Sequence, residues 1–188
     1  MANEYAGNLS GGQLKLLSLG IVLTVHVRAS LGLGYVPQTQ NVFAGLSVYE
    51  NLVLGAYEVL KGDVGQELDR VLHLFPRLKE RSKLRAGNLS GGERRMLSLA
   101  AVLMMRPQCL LLDEPTSDLA PAMIGIIFEK IRDVIREYHI PVLLVEQNVR
   151  QALGVADRVL VLIQGKTRLL ASARDLSEAQ LGEVFLEA

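Results

Sequence analysis

Leu89-Ser90-Gly91-Gly92-Glu93, followed by Cys109-Leu110-Leu111-Leu112-Asp113-Glu114-Pro115, is the stretch on which the reading of this chain turns. A glycine-rich turn that opens a helix presents backbone N–H groups and the positive end of the helix dipole to an anion. An apolar strand that ends in two adjacent carboxylates delivers them to where a metal-bound phosphate would sit. Either motif alone is weak, because Ser before Gly-Gly with Glu93 in the first turn also makes an ordinary helix cap. The cap explains those residues locally. It does not explain the strand-borne acidic pair that follows.

Outward from this stretch, the sequence alternates strands and helices. Gly34-Tyr35-Val36-Pro37 reads as a short strand ending at a proline, which leaves Gln38 on an exposed, turn-rich loop. Ser47-Val48-Tyr49-Glu50 has capping-box spacing, so a helix is expected from about Val48 to Leu60, and a second from about Val64 to Phe75, stopped by Pro76. Leu68, Val71, Leu72 and Phe75 recur on one face of that second helix. Gly91 to Met105 is the helix that carries the glycine-rich turn, with Met96, Leu97, Leu99, Ala100 and Leu103 as its apolar positions and Arg94 and Arg95 read as solvated charges. Cys109 to Leu112 is a strand of the kind buried on both faces of a parallel sheet.

Pro121 suits a first helical turn, and a helix to Tyr138 is expected from Ile124, Ile127, Phe128, Ile131 and Ile135. Pro141 to Val145 reads as another buried strand, and Val149 to Val155 as a short helix. Arg158 to Ile163 then turns at Gln164-Gly165 into Thr167 to Leu170, an antiparallel pairing, and Ser177 caps a last helix reaching Leu186. The alternation argues for an α/β domain with a largely parallel core.

Composition narrows the function. Twenty basic and twenty acidic residues cancel, so no global field directs the chain to nucleic acid or to an acidic membrane. Tryptophan is absent and aromatic residues make up 5%, which leaves no evident platform for stacking bases. The single cysteine, Cys109, has no disulfide partner within the chain and reads as a small buried strand residue in a reducing compartment. There is no leader-like start and no apolar run of roughly 18 residues that could span a bilayer, so a cytoplasmic location is expected. An internal repeat sets Ala6-Gly7-Asn8-Leu9-Ser10-Gly11-Gly12 against Ala86-Gly87-Asn88-Leu89-Ser90-Gly91-Gly92, and fades by His26. Two copies are too few for a solenoid.

Phosphoryl transfer needs phosphate donors, Mg²⁺ ligands and a group that orients water. Asp113, at the end of its strand, is the candidate Mg²⁺ ligand, and Glu114 beside it the group that polarises an attacking water. Ser90, Gly91, Gly92 and Glu93 are the candidate phosphate-facing residues.

These motifs resemble the nucleotide-binding subunit of ATP-binding-cassette transporters over about residues 32 to 188, with Leu89 to Glu93 as the signature and Cys109 to Glu114 as Walker B. Gly34-Tyr35-Val36-Pro37-Gln38, Leu46-Ser47-Val48-Tyr49-Glu50-Asn51-Leu52, Leu119-Ala120-Pro121 and Leu144-Val145-Glu146-Gln147-Asn148 are similar to the branched-chain amino-acid importer type. The resemblance implies a P-loop NTPase-like α/β fold, mostly parallel sheet flanked by helices and truncated at its N-terminus. It implies ATP and Mg²⁺ as cofactors, with Gln38 as the Q-loop residue that senses Mg²⁺ and attacking water and couples to membrane subunits. Ser117, Asp118, Leu119 and Ala120 fall in the D-loop, at a dimer interface. Gln147 stands where many members have a switch histidine and the branched-chain type commonly has glutamine.

The implied partners are a second cassette and transmembrane permease subunits, through which the chain would sit peripherally at the inner face of the plasma membrane. Residues 1–31 are an atypical segment duplicating the signature, and 32–188 a partial nucleotide-binding domain with Q-loop, helical subdomain, signature, Walker B, D-loop and switch region. One departure is severe: the 188 residues contain no Gly-x-x-x-x-Gly-Lys-Ser/Thr, the loop whose amides and lysine hold β and γ phosphates. In this family each signature closes over the nucleotide held by the other subunit's phosphate loop. Three functions follow: an importer ATPase subunit, a catalytically silent cassette that completes or regulates a partner's site, and a soluble tandem-cassette factor acting on ribosome or DNA. The last is opposed by the neutral charge and by Thr116-Ser117-Asp118-Leu119.

Overall fold

The computed structural model describes residues 31–39, 42–56 and 64–186, and the N-terminal duplicate and residues 57–60 of the expected first helix lie outside these. By its internal contacts the chain divides after Val145 into two units.

In the first unit, β1 (Leu33–Val36) is followed by α1 (Val48–Ala56), α2 (Val64–Leu74), α3 (Pro76–Glu80), α4 (Gly91–Leu103), β2 (Cys109–Asp113), α5 (Pro121–Tyr138) and β3 (Val142–Val145). The strands form a parallel sheet in the order β1-β2-β3, with Tyr35 opposite Leu111 and Asp113 opposite Val145. Each crossover therefore carries helices, as parallel pairing requires. Leu110, Leu111 and Leu112 are buried, as are Leu97 and Leu103 of α4 and Ile127, Phe128 and Ile131 of α5.

The expectation of a fully buried β3 is corrected. Leu143 and Val145 are 37% and 50% exposed and alternate with the half-buried Val142 and Leu144, so among the described residues one face of β3 is left open.

Local chemistry explains the helix ends. Ser47 Oγ accepts from the Glu50 N–H and the Glu50 carboxylate accepts from the Ser47 N–H at 2.7 Å, the reciprocal pair of a capping box. Buried Asn51 accepts from the Phe43 N–H and donates to the carbonyls of Phe43 and Ser47, fixing the loop ahead of α1. Helix α1 crosses α4 so closely that a Cβ on Gly55 would stand 2.3 Å from the Ala101 carbonyl oxygen.

A buried acid joins α2, α5 and the segment after α4 where the periodicity promised only apolar contacts. Glu67, 1% exposed, accepts from Arg106 Nε at 2.7 Å and from the Tyr138 hydroxyl at 3.0 Å. Arg70 lies 4.1 Å over the Tyr138 ring and is paired with Glu137. Burial, with the Glu67 carboxylate beside it, pushes the Tyr138 hydroxyl well above its ordinary pKa, so it stays a donor.

The second unit holds α6 (Val149–Leu153), an antiparallel hairpin of β4 (Arg158–Ile163) and β5 (Lys166–Ser172), and α7 (Glu178–Leu186). Gln164 and Gly165 both have positive φ, 50° and 75°, the requirement of a two-residue turn matched to strand twist. Ser177 and Gln180 form the cap of α7.

Candidate functional site

Helix α4 begins with a complete capping box. The Glu93 carboxylate accepts from the Ser90 N–H at 2.9 Å and the Ser90 hydroxyl accepts from the Glu93 N–H at 3.3 Å. The other Glu93 oxygen lies 3.2 Å from Arg81 Nε. The Ser90 amide, helped by the Ser90 hydroxyl and the cations Arg81 and Arg77 and opposed by desolvation, holds the Glu93 carboxyl below its ordinary range. Glu93 is thus 6% exposed and engaged within the helix start, while Ser90 and Gly91 are exposed. Both Glu93 oxygens are engaged inside the protein.

Gly92 is buried where α4 meets α5: a Cβ there would fall 2.2 Å from Met123 Cε, the far end of a flexible side chain. At Gly91 the nearest atom to such a Cβ is Leu119 Cδ2, at 3.7 Å. The exposed N–H end of α4 is therefore Ser90 and Gly91.

At the strand ends, the Gln38 side-chain amide donates to Glu114 Oε2 at 2.8 Å. Parallel pairing of β1 with β2 brings these two together, since Val36 lies opposite Leu112 and both chains leave the sheet at the same end. The Tyr35 hydroxyl donates to Asp113 Oδ2 at 3.0 Å. Glu114 adopts φ 44°, a conformation costly for a side-chain-bearing residue, and its N–H donates to the Val145 carbonyl at 2.8 Å, which fixes it. The three side chains Gln38, Asp113 and Glu114 thus cluster at the C-terminal edge of a parallel sheet, the edge where α/β folds bind ligands.

Downstream, Ser117 N–H donates to the Glu114 carbonyl, and the Ser117 hydroxyl is buried with no hydrogen-bond partner. Asp118 has φ 59° and is exposed. Ala120 precedes the Pro121 start of α5.

Arg95 corrects the expectation of a solvated charge. It is 8% exposed and donates through Nη1 to the Pro37 carbonyl at 2.9 Å and through Nη2 to the Gln38 carbonyl at 2.8 Å. Only Arg94 remains exposed, donating to the Leu89 carbonyl. A charge in the middle of Met96, Leu97 and Leu99 was the signal for Arg95: a cation on the apolar side of a helix needs acceptors.

The segments flanking the site are zipped together. Ala86 N–H and Gly87 N–H donate to the carbonyls of Leu46 and Ala44, and Val48 N–H and Tyr49 N–H to those of Leu84 and Ser82. Gln147 lies in the second unit, exposed, where the Glu146 carboxylate accepts from the Gln147 and Asn148 N–H groups at 2.7 and 3.0 Å ahead of α6.

Among the described residues no group of three or more His, Cys, Asp or Glu side chains converges as a metal site. Asp113 and Gln38 carry oxygen donors of the kind that a hard cation such as Mg²⁺ takes.

Comparison with known proteins bears on what binds here. Residues 25–117 match the ABC transporter family. The chain is 42% identical over 180 residues to a probable branched-chain amino acid transport ATP-binding protein of Archaeoglobus fulgidus, covering 95% of this chain and 74% of the relative. It is 47% identical over 148 residues to a high-affinity branched-chain amino acid transport ATP-binding protein of Pseudomonas aeruginosa, covering 79% of this chain and 62% of the relative. In fold it is similar to an ATP-binding cassette of an ABC transporter solved in its ADP conformation, with a TM-score of 0.70 at 20% identity over 85% of this chain and 70% of that one.

Proposed function

The chain belongs to the ABC transporter family, and from that membership we propose that it is an ATP-binding subunit of an importer, for branched-chain amino acids, that donates its signature helix to a nucleotide held by a second cassette. The observation that carries this reading is the exposed, capped N-terminus of α4 at Ser90 and Gly91. The substrate class follows the two relatives, each of which is named for branched-chain amino acid transport. No helix among the described residues is long and apolar enough to cross a membrane, so the reading assigns passage of the solute to permease subunits and sets the chain at the cytoplasmic side of the membrane.

The chemistry divides between two chains. ATP supplies the phosphoryl group and Mg²⁺ neutralises its developing charge. From this chain, Ser90 offers a hydroxyl and Gly91 an approachable backbone to the terminal phosphate. At the other site of the pair, on a nucleotide different from the one Ser90 faces, Asp113 and Gln38 are the residues that would hold Mg²⁺. Glu114, oriented by the Gln38 amide, is placed to accept a proton from water, and Gln147 is assigned to the switch position. Ser117 to Ala120 are assigned to the contact between cassettes, where exposed Asp118 and Ala120 are the accessible members. Exposed Phe43, Tyr49 and Leu54, on and before α1, offer apolar surface for a permease contact.

The test is ATP hydrolysis by the purified chain mixed with a complete cassette of the same importer type. Stimulation above the complete cassette alone, abolished by Ser90→Arg, supports the reading. Equal rates with and without the chain contradict it.

A further inference from the structure

A buried guanidinium joins the signature helix to the loop that carries Gln38. Arg95 donates to two successive carbonyls, those of Pro37 and Gln38, with two different nitrogens at 2.9 and 2.8 Å. The planar fork of arginine suits this pairing, and the point charge of lysine cannot reproduce it. Helix α4 is a rigid rod here, sealed by its capping box at one end and by buried Leu97, Leu99 and Leu103 along its length. Arg95 therefore ties the backbone of Gln38 to the same rod that presents Ser90 and Gly91. The Gln38 side chain, in turn, reaches Glu114 Oε2.

We propose that Arg95 is a positioning residue: it sets the Gln38 backbone against α4 so that the Gln38–Glu114 hydrogen bond forms, and it carries displacement of the signature end of α4 to the Glu114 carboxylate. The chain of contacts runs from Ser90 through the helix to Arg95, then to Gln38 and Glu114, entirely within the first unit. The consequence of this linkage for hydrolysis rests on the proposed function. The clamp itself is a matter of local geometry and is testable apart from it.

Two measurements separate these. Amide hydrogen exchange on the chain alone, in wild type, Arg95→Lys and Arg95→Gln, reads the clamp. Exchange in a peptide covering Tyr35 to Thr39 is expected to rise on the order of tenfold in Arg95→Gln and less in Arg95→Lys, while α4 keeps its protection. Unchanged exchange at Tyr35 to Thr39 overturns the clamp, and so does equal loss of protection along α4, which would make Arg95 a general packing residue.

In the mixture with a complete cassette, Arg95→Gln is expected to lower kcat about tenfold with KM for ATP little changed, and Arg95→Lys to restore part of it. The effects of Arg95→Gln and Gln38→Ala on kcat are expected to be non-additive, since both act through one contact. Additive losses overturn the linkage. If the wild-type chain gives no stimulation at all, the proposed function and the linkage to hydrolysis both fail, and hydrogen exchange still decides the clamp.

Discussion

Gln38 and Glu114 meet through a 2.8 Å hydrogen bond although 76 residues separate them in sequence. The parallel register of β1 on β2 produces that meeting, because both side chains emerge just beyond paired strand ends. The Glu114 backbone is held in a left-handed conformation by its bond to the Val145 carbonyl, so all three strands contribute to placing one carboxylate.

Removing that carboxylate's charge gives the first prediction. Glu114→Gln keeps the size and an acceptor for Gln38, so the melting temperature of the chain should change little. In the mixture with a complete cassette, any hydrolysis contributed by this chain's own acidic pair should fall by a factor of about 10² or more, the range for a group that moves a proton in the transition state. An unchanged rate assigns all hydrolysis to the partner's acids.

Acid should loosen the start of α4 through Glu93. Its carboxyl is held below the ordinary value of 4.5 in the folded chain, chiefly by the Ser90 amide. A depressed pKa of an acid contributes stability that is complete above the unfolded value and is lost as pH falls through the folded one. Glu93→Gln should therefore flatten the loss of stability below about pH 4.5, measured by denaturant unfolding across pH. Ser90→Ala, which removes the other half of the box, should cost about 1 kcal/mol at neutral pH.

At Gly55 two effects oppose each other. Alanine is favoured over glycine within a helix by about 1 kcal/mol, but the new Cβ would stand 2.3 Å from a backbone oxygen of Ala101. Backbone cannot yield as a flexible side chain does, and overpacking costs about 1–3 kcal/mol. Gly55→Ala should lower stability in a thermal melt. A rise would mean that α1 and α4 can separate cheaply.

Arg106→Ala should destabilise more than a surface ion pair allows. It strips the 2.7 Å partner from Glu67, whose side chain is 2% exposed, although Arg106 itself is 47% exposed. Removing one partner of a buried pair costs about 3–5 kcal/mol when both are buried, so about 2–3 kcal/mol is expected here. Adding Glu67→Leu to Arg106→Ala should recover much of it. Failure to recover would place the cost in Arg106 packing.

Much of the fold was legible because its signals are local. The run Cys109 to Leu112, the Ser47–Glu50 and Ser90–Glu93 spacings and the Gln164-Gly165 turn each specify structure within a few residues. Glu67 and Arg95 were not read as buried, because their partners, Arg106 and Tyr138 for one and the carbonyls of Pro37 and Gln38 for the other, come from distant sequence. Exposure on β3 is hidden for a related reason: an apolar run such as Val142 to Val145 is the same whether one face of the strand or both are covered. Within the candidate site, Asp113 and Glu114 were legible as an acidic pair ending a strand. Their contacts with Tyr35 and Gln38 required the register.

The central claim is that the Ser90–Gly91 end of α4 closes over a nucleotide held by a second cassette. Association of the purified chain with a hydrolysis-deficient complete cassette, with and without Mg-ATP, tests it most directly. The account predicts association that appears with Mg-ATP and that Ser90→Arg removes. Association that is independent of Mg-ATP, or that survives Ser90→Arg unchanged, would contradict it.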